Sequence, residues 1–525
     1  MTLVSVTEAR KWAVDFTGRK VTTSNITYLV NYARINNYGN NGEIKISLEE
    51  LKEYYRTLTQ EKEWKEQLGE DLNWTLSFDQ YKESERTKHV HRLHPYKGKF
   101  IPQLVEYFID SHTDKFKKET YFKPGDIILD PFCGSGTTLI EANEKGMDAI
   151  GIDISEFNAL ISNTKLSKID YWDLSICIDD LNYKLEKFVK ASGILEFDNE
   201  ILDALSDFNK EYFPSPAFKW KVIKKQINEY SYAEEKFKEF KIKYGEITDK
   251  YHINIMPDHP INFIDTWFLP PIKKEIEFMI SLINEISSKE LKNVITVILS
   301  RTIRSCRATS HSDLATLQKP VYEPYYCSKH KKVCKPLLTI FSWWKRYAND
   351  AIQRYLQFGH LRTDTNQHCL TGDARSINII ESLQREKPGM AEKVKNQKIK
   401  GIFSSPPYVG LINYHEQHQY AYEFFGYINR QDDEIGPLFR GKGKQAQLSY
   451  IQGIAKVLNN CKQYLTDDYD IFLVANDNYG LYDKISEQTG MEIVNQYKRP
   501  VLNRTEKDKN AYSEIIFHLK EKVQC

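Results

Sequence analysis

At 525 residues the chain has room for two to four domains of about 150 residues each. Its hydrophobic content of 41% excludes a disordered chain, and its net charge of +1 excludes a polycation that grips nucleic acid through bulk charge. Any nucleic-acid surface must arise by local clustering. No apolar run reaches the roughly 20 residues of a membrane span; Val294-Ile-Thr-Val-Ile-Leu299 is core-sized. The eight cysteines are scattered and the N-terminus lacks the order of a signal peptide. A reduced, cytoplasmic protein with no membrane partner is therefore expected.

Residues 1–60 read as a small separate module. Thr7 is placed to cap a helix that buries Ala9, Trp12, Ala13 and Phe16 and stops at Gly18. Ser24 is placed to cap a second helix with Ile26, Leu29 and Val30 inward. Gly39 and Gly42 flank a turn, and Ile44 and Ile46 alternate as in a strand. Ser47-Leu-Glu-Glu50 has capping-box spacing before a third helix. Helix, turn, helix, hairpin, helix resembles the winged helix-turn-helix of MerR-like and excisionase-like regulators. That resemblance implies DNA contact through Thr22, Thr23, Asn25 and Arg34, on or beside the second helix. A three-helix interaction module without DNA contact is the alternative.

Residues 61–170 hold the segment around which the chain is organised. Residues 126–130 read as a short buried strand opened by Pro124-Gly125. Asp130-Pro-Phe-Cys-Gly-Ser-Gly-Thr-Thr138 follows, and residues 137–144 read as a helix that stops at Gly146. Gly134 and Gly136 allow a tight turn and the close approach of a ligand. A second strand, residues 148–153, ends in Asp153, where an acid can accept hydrogen bonds from ribose hydroxyls. The dinucleotide fingerprint Gly-x-Gly-x-x-Gly is missing, because Thr137, Thr138 and Leu139 follow Gly136.

The next strand-end acid is Asp373, in Cys369-Leu-Thr-Gly-Asp373. It stands about 220 residues after Asp153, where one strand–helix–strand unit needs roughly 30. Residues 171–360 are therefore expected to form a large, mostly helical insertion. Lysines and aromatics interleave there, as in Phe218-Lys-Trp-Lys-Val-Ile-Lys-Lys225 and Trp343-Trp-Lys-Arg-Tyr347. Such side chains neutralise phosphates and stack on bases, although lysine-rich faces are more often plain solvated helix surface. Arg301, Arg304 and Arg307 crowd a short stretch before a Pro-Tyr loop, and arginine forks match guanine edges and phosphates. Cys327-Ser-Lys-His330-Lys-Lys-Val-Cys334, with Cys306 nearby, offers zinc-type ligands. Its spacing departs from paired Cys-x-x-Cys and no fourth ligand is evident, so ordinary thiols are the default reading.

The sheet resumes in residues 361–525. Residues 399–403 form a strand ending in Ser404-Ser405-Pro406-Pro407-Tyr408. Residues 447–465 carry helical periodicity, and 470–475 form another core strand. Residues 491–497 and 513–519 read as a closing hairpin whose loop, with Arg499, Asn503, Arg504 and two lysines, is expected to border nucleic acid. Ser-Pro-Pro-Tyr resembles the catalytic motif of amino-group methyltransferases, which implies as target an exocyclic amine, a poor nucleophile because its lone pair is delocalised into the ring. Ser405 can accept one hydrogen bond from such an amine and the Pro406 carbonyl the other. Pro406 and Pro407 stiffen the loop, and Tyr408 offers a face for the base. Catalysis would be positioning and polar preorganisation, without a covalent intermediate.

The two segments, Asp-Pro-Phe-Cys-Gly-Ser-Gly-Thr-Thr and Ser-Pro-Pro-Tyr, together resemble the S-adenosylmethionine motif and the catalytic motif of amino-group DNA methyltransferases of bacterial restriction–modification systems. The resemblance covers residues 85–170 and 365–520. It implies an α/β, Rossmann-like methyltransferase sheet and S-adenosylmethionine as cofactor. Double-stranded DNA with a flipped base would be the substrate, and a cognate restriction endonuclease would be a separate protein. It places Asp130, Phe132, Cys133, Gly134, Ser135, Gly136 and Thr137 around the cofactor, with Asp153 on the ribose and Asp373 on the adenine amine. It also implies that the segment His91-Arg-Leu-His94-Pro-Tyr-Lys-Gly-Lys-Phe100 packs beside the glycine turn. Serine at position 405 is commoner in cytosine-N4 than in adenine-N6 enzymes, so cytosine N4 is favoured and adenine N6 is the alternative. The tRNA guanine-N2 methyltransferases carry similar motifs and give a second alternative. A catalytically inactive DNA-binding regulator gives a third.

Overall fold

The computed structural model describes residues 2–522 apart from 19, 32–33, 40–42, 58–59, 97, 99, 258–259, 312, 314–316 and 503–509. It divides into two compact units, Met1–Lys82 with Tyr497–Ile516, and Glu83–Gln496 with Phe517–Cys525. Gly42, Lys97, Lys99, Asn503, Arg504, Lys507 and Lys509, which figure in the expectations above, lie outside the described residues. Among the described residues no helix is long and apolar enough to cross a membrane.

In the first unit, strand β1 (Leu3–Ser5) pairs antiparallel with β2 (Lys45–Ser47). The cap of the first helix, Val6–Thr17, is Ser5 and not Thr7. The Glu8 N–H donates to Ser5 Oγ at 3.3 Å, and the Glu8 carboxylate accepts from the Ser5 N–H at 2.8 Å. The strand pairing, which joins residues far apart in sequence, sets where the helix begins. Ala9 and Ala13 are buried as expected, whereas Phe16 is 46% exposed and stacks on Trp12 with ring centroids 4.7 Å apart. The helix Thr23–Asn31 is capped by Thr22, not by Ser24. The Asn25 N–H donates to Thr22 Oγ1 at 3.2 Å and the Thr22 N–H to Asn25 Oδ1 at 2.8 Å. Ser47 caps the helix Leu48–Thr57, but the Glu50 carboxylate turns to the Asn36 N–H at 2.8 Å, leaving half a capping box.

In the second unit, β3 (Ile127–Asp130) and β4 (Asp148–Asp153) are buried along their whole length, as strands covered on both faces must be. The helix Thr137–Glu144 links them, and Glu156–Leu166 follows β4. The chain then runs through the helices Tyr171–Ala191, Ile194–Tyr212, Glu229–Tyr251, Pro270–Asn284, Lys289–Ser305 and Phe341–Gly359. A hairpin of β5 (Tyr325–Cys327) and β6 (Lys332–Cys334) interrupts the series. The last helix returns to the sheet layer, where Tyr355 Oη donates to the Thr164 carbonyl at 2.7 Å. Next come β7 (Gln367–Thr371), β8 (Ile399–Ser404) and β9 (Leu465–Ala475), and then β10 (Met491–Pro500) and β11 (Ser513–Glu521), each of which has residues in both units.

The seven-stranded sheet has the order β10-β11-β9-β8-β3-β4-β7. The pairs β3–β4, β4–β7, β3–β8 and β8–β9 are all parallel. From β3 the chain winds one way through β4 to β7, then returns to the opposite side of β3 as β8. The crevice at the carboxyl ends of β3 and β8 is thus the switch point at which such sheets take ligands.

Gly401 in β8 sits where the register with β9 shifts, and a Cβ there would stand 2.0 Å from the Asp470 carbonyl oxygen. Backbone cannot step aside as a side chain can. Gly401→Ala is expected to cost roughly 4 kcal/mol or more, at the severe end for one substitution. Gly389→Ala, with nothing within 4 Å of the new Cβ, should leave the thermal midpoint nearly unchanged. Thermal unfolding of the two variants checks this pair.

Candidate active site

The turn after β3 is held from three sides. The Cys133 N–H donates to the Ile152 carbonyl at 3.0 Å, and the Gly134 N–H donates to Asp153 Oδ2 at 2.8 Å. Ser162 Oγ donates to the Gly134 carbonyl at 3.0 Å, and the buried Lys165 ammonium to the Ser135 carbonyl at 2.7 Å. Gly134 and Gly136 have φ of +52° and +79°, in the left-handed region that favours glycine. Asp153 Oδ1 also accepts from the Ser155 N–H at 2.9 Å and from Asn158 Nδ2 at 3.1 Å. Burial pushes the Asp153 carboxyl up to about 6 against these three donors. Asp130, beneath the turn, is likewise raised by burial to about 6.

The carboxyl end of β8 is bound to this turn. Thr138 Oγ1 donates to the Phe403 carbonyl at 3.2 Å, and Ser404 Oγ donates to Asp130. The two serines therefore differ: Ser404 is fully buried on Asp130, while Ser405, half-buried, faces the crevice.

A pocket opens there, walled by the glycine turn, the end of β4 and the loop after β8. Of the residues expected from sequence, Phe132, Cys133, Gly134, Ser135, Thr137, Asp153, Asp373, Ser405 and Pro407 line it. Asp130, Gly136, Pro406 and Tyr408 stand outside its lining. Tyr96, Asn158, Tyr414, His415 and Glu434 join the lining. Tyr96 lies in the His91–Phe100 segment expected beside the glycine turn, whereas Tyr414 and His415 follow the Ser-Pro-Pro-Tyr loop. Glu434 carries no local signal; its carboxylate accepts the His415 N–H at 2.8 Å and also meets His415 Nδ1. The Tyr96 ring lies against Gly134, about 3.1 Å from where a Cβ would stand. His94, by contrast, is buried on Tyr420 at 3.1 Å, and His91 on Glu141 at 2.8 Å. Asp373 is engaged by Arg375, whose Nε stands 2.9 Å from both carboxylate oxygens. Among the described residues Ser135 Oγ, Asn158 Oδ1 and His415 Nε2 are buried in this lining without a partner in the protein. A polar ligand seated against Gly134, with carboxylates at hand, fits these groups.

The three arginines part company. Arg304 and Arg307 border a second cavity, shared with Leu411, Ile412 and Asn413 just beyond the Ser-Pro-Pro-Tyr loop. Arg307 is largely buried, and its Nε donates to the Arg304 carbonyl at 2.9 Å. Arg301 pairs instead with Asp350 at 2.8 Å and lies 4.0 Å over the Tyr347 ring, its side chain 11% exposed. Arg499 is buried beside Glu514 at 3.4 Å.

A parallel sheet with a glycine turn at its switch point, cross-bonded to a proline-stiffened loop on the neighbouring strand, defines an α/β enzyme class built to hold a nucleoside cofactor beside its substrate. Residues 16–163 match the N6/N4 methyltransferase family model, described as DNA methylase. The type II methyltransferase M.MjaII of Methanocaldococcus jannaschii is 45% identical over 526 aligned residues, covering 99% of this chain and 97% of that protein. M.MvaI of Kocuria varians, also a type II methyltransferase, is 33% identical over 117 residues, 21% of this chain and 24% of its own length. No solved structure matches. The chain belongs to the amino-group DNA methyltransferases of type II restriction–modification systems, whose methyl donor is S-adenosylmethionine.

Proposed function

We propose that the chain methylates cytosine N4 at a specific sequence in double-stranded DNA, acting on a base flipped out of the duplex. The observation that carries this reading is that Ser405 and Pro407 line the same pocket as Gly134 and Asp153. S-adenosylmethionine, when bound, supplies the electrophilic methyl group. The protein positions. Asp153 accepts hydrogen bonds from the ribose hydroxyls, Phe132 and the glycine turn hold the nucleoside, and Asp373 meets the adenine amine. Ser405 Oγ and the Pro406 carbonyl accept from the target amine and draw it toward a tetrahedral shape, and Tyr408 presents its face to the base. Extruding the base costs a few kcal/mol, which the pocket must recover.

The test is mass spectrometry of nucleosides from DNA and from RNA incubated with the protein and S-adenosylmethionine. N4-methyldeoxycytidine is expected, and RNA should stay unmodified. N6-methyldeoxyadenosine would establish the adenine alternative. Label in RNA alone would establish the RNA reading, and label in neither the inactive regulator.

Asp153 sets a pH dependence. Burial raises it and Asp130 to about 6, above the roughly 3.9 of an unfolded aspartate. Their contribution to folding stability is thus present below pH 4 and lost as pH rises through about 6. Cofactor affinity runs the other way, since only the carboxylate is a full acceptor. Affinity for S-adenosylhomocysteine should weaken as pH falls through about 6, and Asp153→Asn should flatten that profile. Calorimetry between pH 5 and 7 decides; a slope that survives in Asp153→Asn assigns the titration to Asp130.

Sequence choice falls to the arginines of the second cavity. Arg304→Ala is expected to relax the methylated sequence, with roughly 1–3 kcal/mol of discrimination lost at one base pair. Arg301→Ala should keep the sequence and lower the thermal midpoint, because its guanidinium serves Asp350 and Tyr347. Sequencing the sites methylated by both variants checks this. An unchanged site in Arg304→Ala would move recognition elsewhere, with the helix Thr23–Asn31 the next candidate.

A further inference from the structure

The long connection between β4 and β7 carries a group of side chains that methyl transfer does not use. The ligand atoms of His311, Cys327, His330 and Cys334 all lie within 4.8 Å of one another. We propose that these four residues bind one zinc ion, which staples the β5–β6 hairpin to the loop that follows the helix Lys289–Ser305.

The hairpin presents three of the four. Cys327 ends β5, Cys334 ends β6, and His330 sits in the tight turn between them, where the Lys331 N–H donates to the Cys327 carbonyl at 2.7 Å. Cys334 Sγ is 3.7 Å from His330 Nδ1. His311 arrives from the preceding loop, with its ring centroid 4.3 Å from that of His330. Tyr325 holds it there. The Tyr325 hydroxyl accepts the His311 N–H at 3.0 Å and stands 2.8 Å from His311 Nδ1. With Nδ1–H donating to that oxygen, the Nε2 lone pair is left for a metal, the usual way an outer partner sets the tautomer of a ligating histidine.

The donor set selects the ion. Two thiols and two imidazoles suit zinc, and four protein ligands leave no open position, so the site is structural. Both cysteines are buried and neither is in a disulfide. A zinc tetrahedron with Zn–S of about 2.3 Å and Zn–N of about 2.0–2.1 Å has edges of roughly 3.3–3.8 Å, so no edge needs to contract by more than about 1.5 Å. On binding, the thiols that ligate lose their protons to solvent, up to two per ion. The group His89, His91, Glu141 and Glu144 is equally close-set. There, however, Lys88 Nζ already stands 3.0 Å from Glu141 and 2.7 Å from Glu144 and supplies the cation.

The hairpin is itself anchored, because the Asn209 side chain exchanges two hydrogen bonds with the Val333 backbone, both 2.9 Å. Zinc would extend that anchor to His311, a few residues beyond Arg304 and Arg307, and so hold the loop beside the second cavity. The test is elemental analysis of full-length protein made in zinc-supplemented medium and desalted. About one zinc per chain is expected, and cobalt exchange should give the visible bands and the near-ultraviolet thiolate band of tetrahedral cobalt. Cys334→Ser and His311→Ala should lose the metal, while Cys306→Ser, a buried thiol outside the group, should keep it. Zinc below about 0.1 per chain with no cobalt bands in the unsubstituted protein overturns the proposal. So does an intact mass showing Cys327 and Cys334 joined as a disulfide. The unsubstituted protein decides the matter even where a variant fails to fold.

Discussion

Gly134→Val is expected to abolish S-adenosylmethionine binding while leaving a folded protein. Two effects combine. The backbone at Gly134 has φ of +52°, which a β-branched residue adopts only under strain. The new Cβ would also stand 3.1–3.3 Å from the Tyr96 ring, which lines the pocket with Gly134. Either Tyr96 is pushed into the pocket's opening or the turn shifts and breaks the 2.8 Å bond from the Gly134 N–H to Asp153. Calorimetry with S-adenosylhomocysteine reads the outcome, and circular dichroism confirms the fold. Affinity within about threefold of the parent would remove the glycine turn from the cofactor site.

Ser405→Ala should have the second largest effect, and on a different quantity. Turnover is expected to fall by on the order of 100-fold, the size of losing one preorganised polar contact to the reacting group. Cofactor affinity should hold, because Ser405 meets the pocket from β8 and not from the glycine turn. Ser404 cannot stand in for it, since its hydroxyl is committed to Asp130 in the layer below. Single-turnover methylation of a DNA duplex, with affinity measured in parallel, separates the two quantities. Undiminished turnover would take the amine-accepting role away from Ser405.

Much of the sheet was legible because its signals are local. A buried run, two glycines and an acid about 20 residues on delimit β3, the turn and β4 without reference to the rest of the chain. Asp373 was found by the same logic at the end of β7, despite the length of chain before it. Contacts that join distant segments left no such trace. Ser5 outcompetes Thr7 as a cap because β1 pairs with β2, some 40 residues away. Glu434 enters the pocket wall only through its bonds to the His415 segment. His311 becomes the fourth member of the Cys–His group because Tyr325, 14 residues later, holds it. Arg301 and Arg304 are one turn apart on a single helix and look alike in sequence. Which one meets Asp350 and which a cavity depends on the helix Phe341–Gly359 packed alongside.

The bonds that lock β8 to β3 also bear on how the molecule comes into being. Thr138 and Phe403 are 265 positions apart, and Asp130 and Ser404 are 274 apart. At roughly 5–20 residues per second, a ribosome takes about 15–55 s to deliver the second member of each pair after the first. Throughout that interval β3 has β4 on one side and nothing on the other, and an apolar strand with a bare edge recruits whatever strand it meets. The helices made in the meantime are the first material available to shield it. A nascent chain halted before residue 399 keeps that edge permanently, so truncated products of this gene should accumulate as aggregates and not as a half-size cofactor-binding protein.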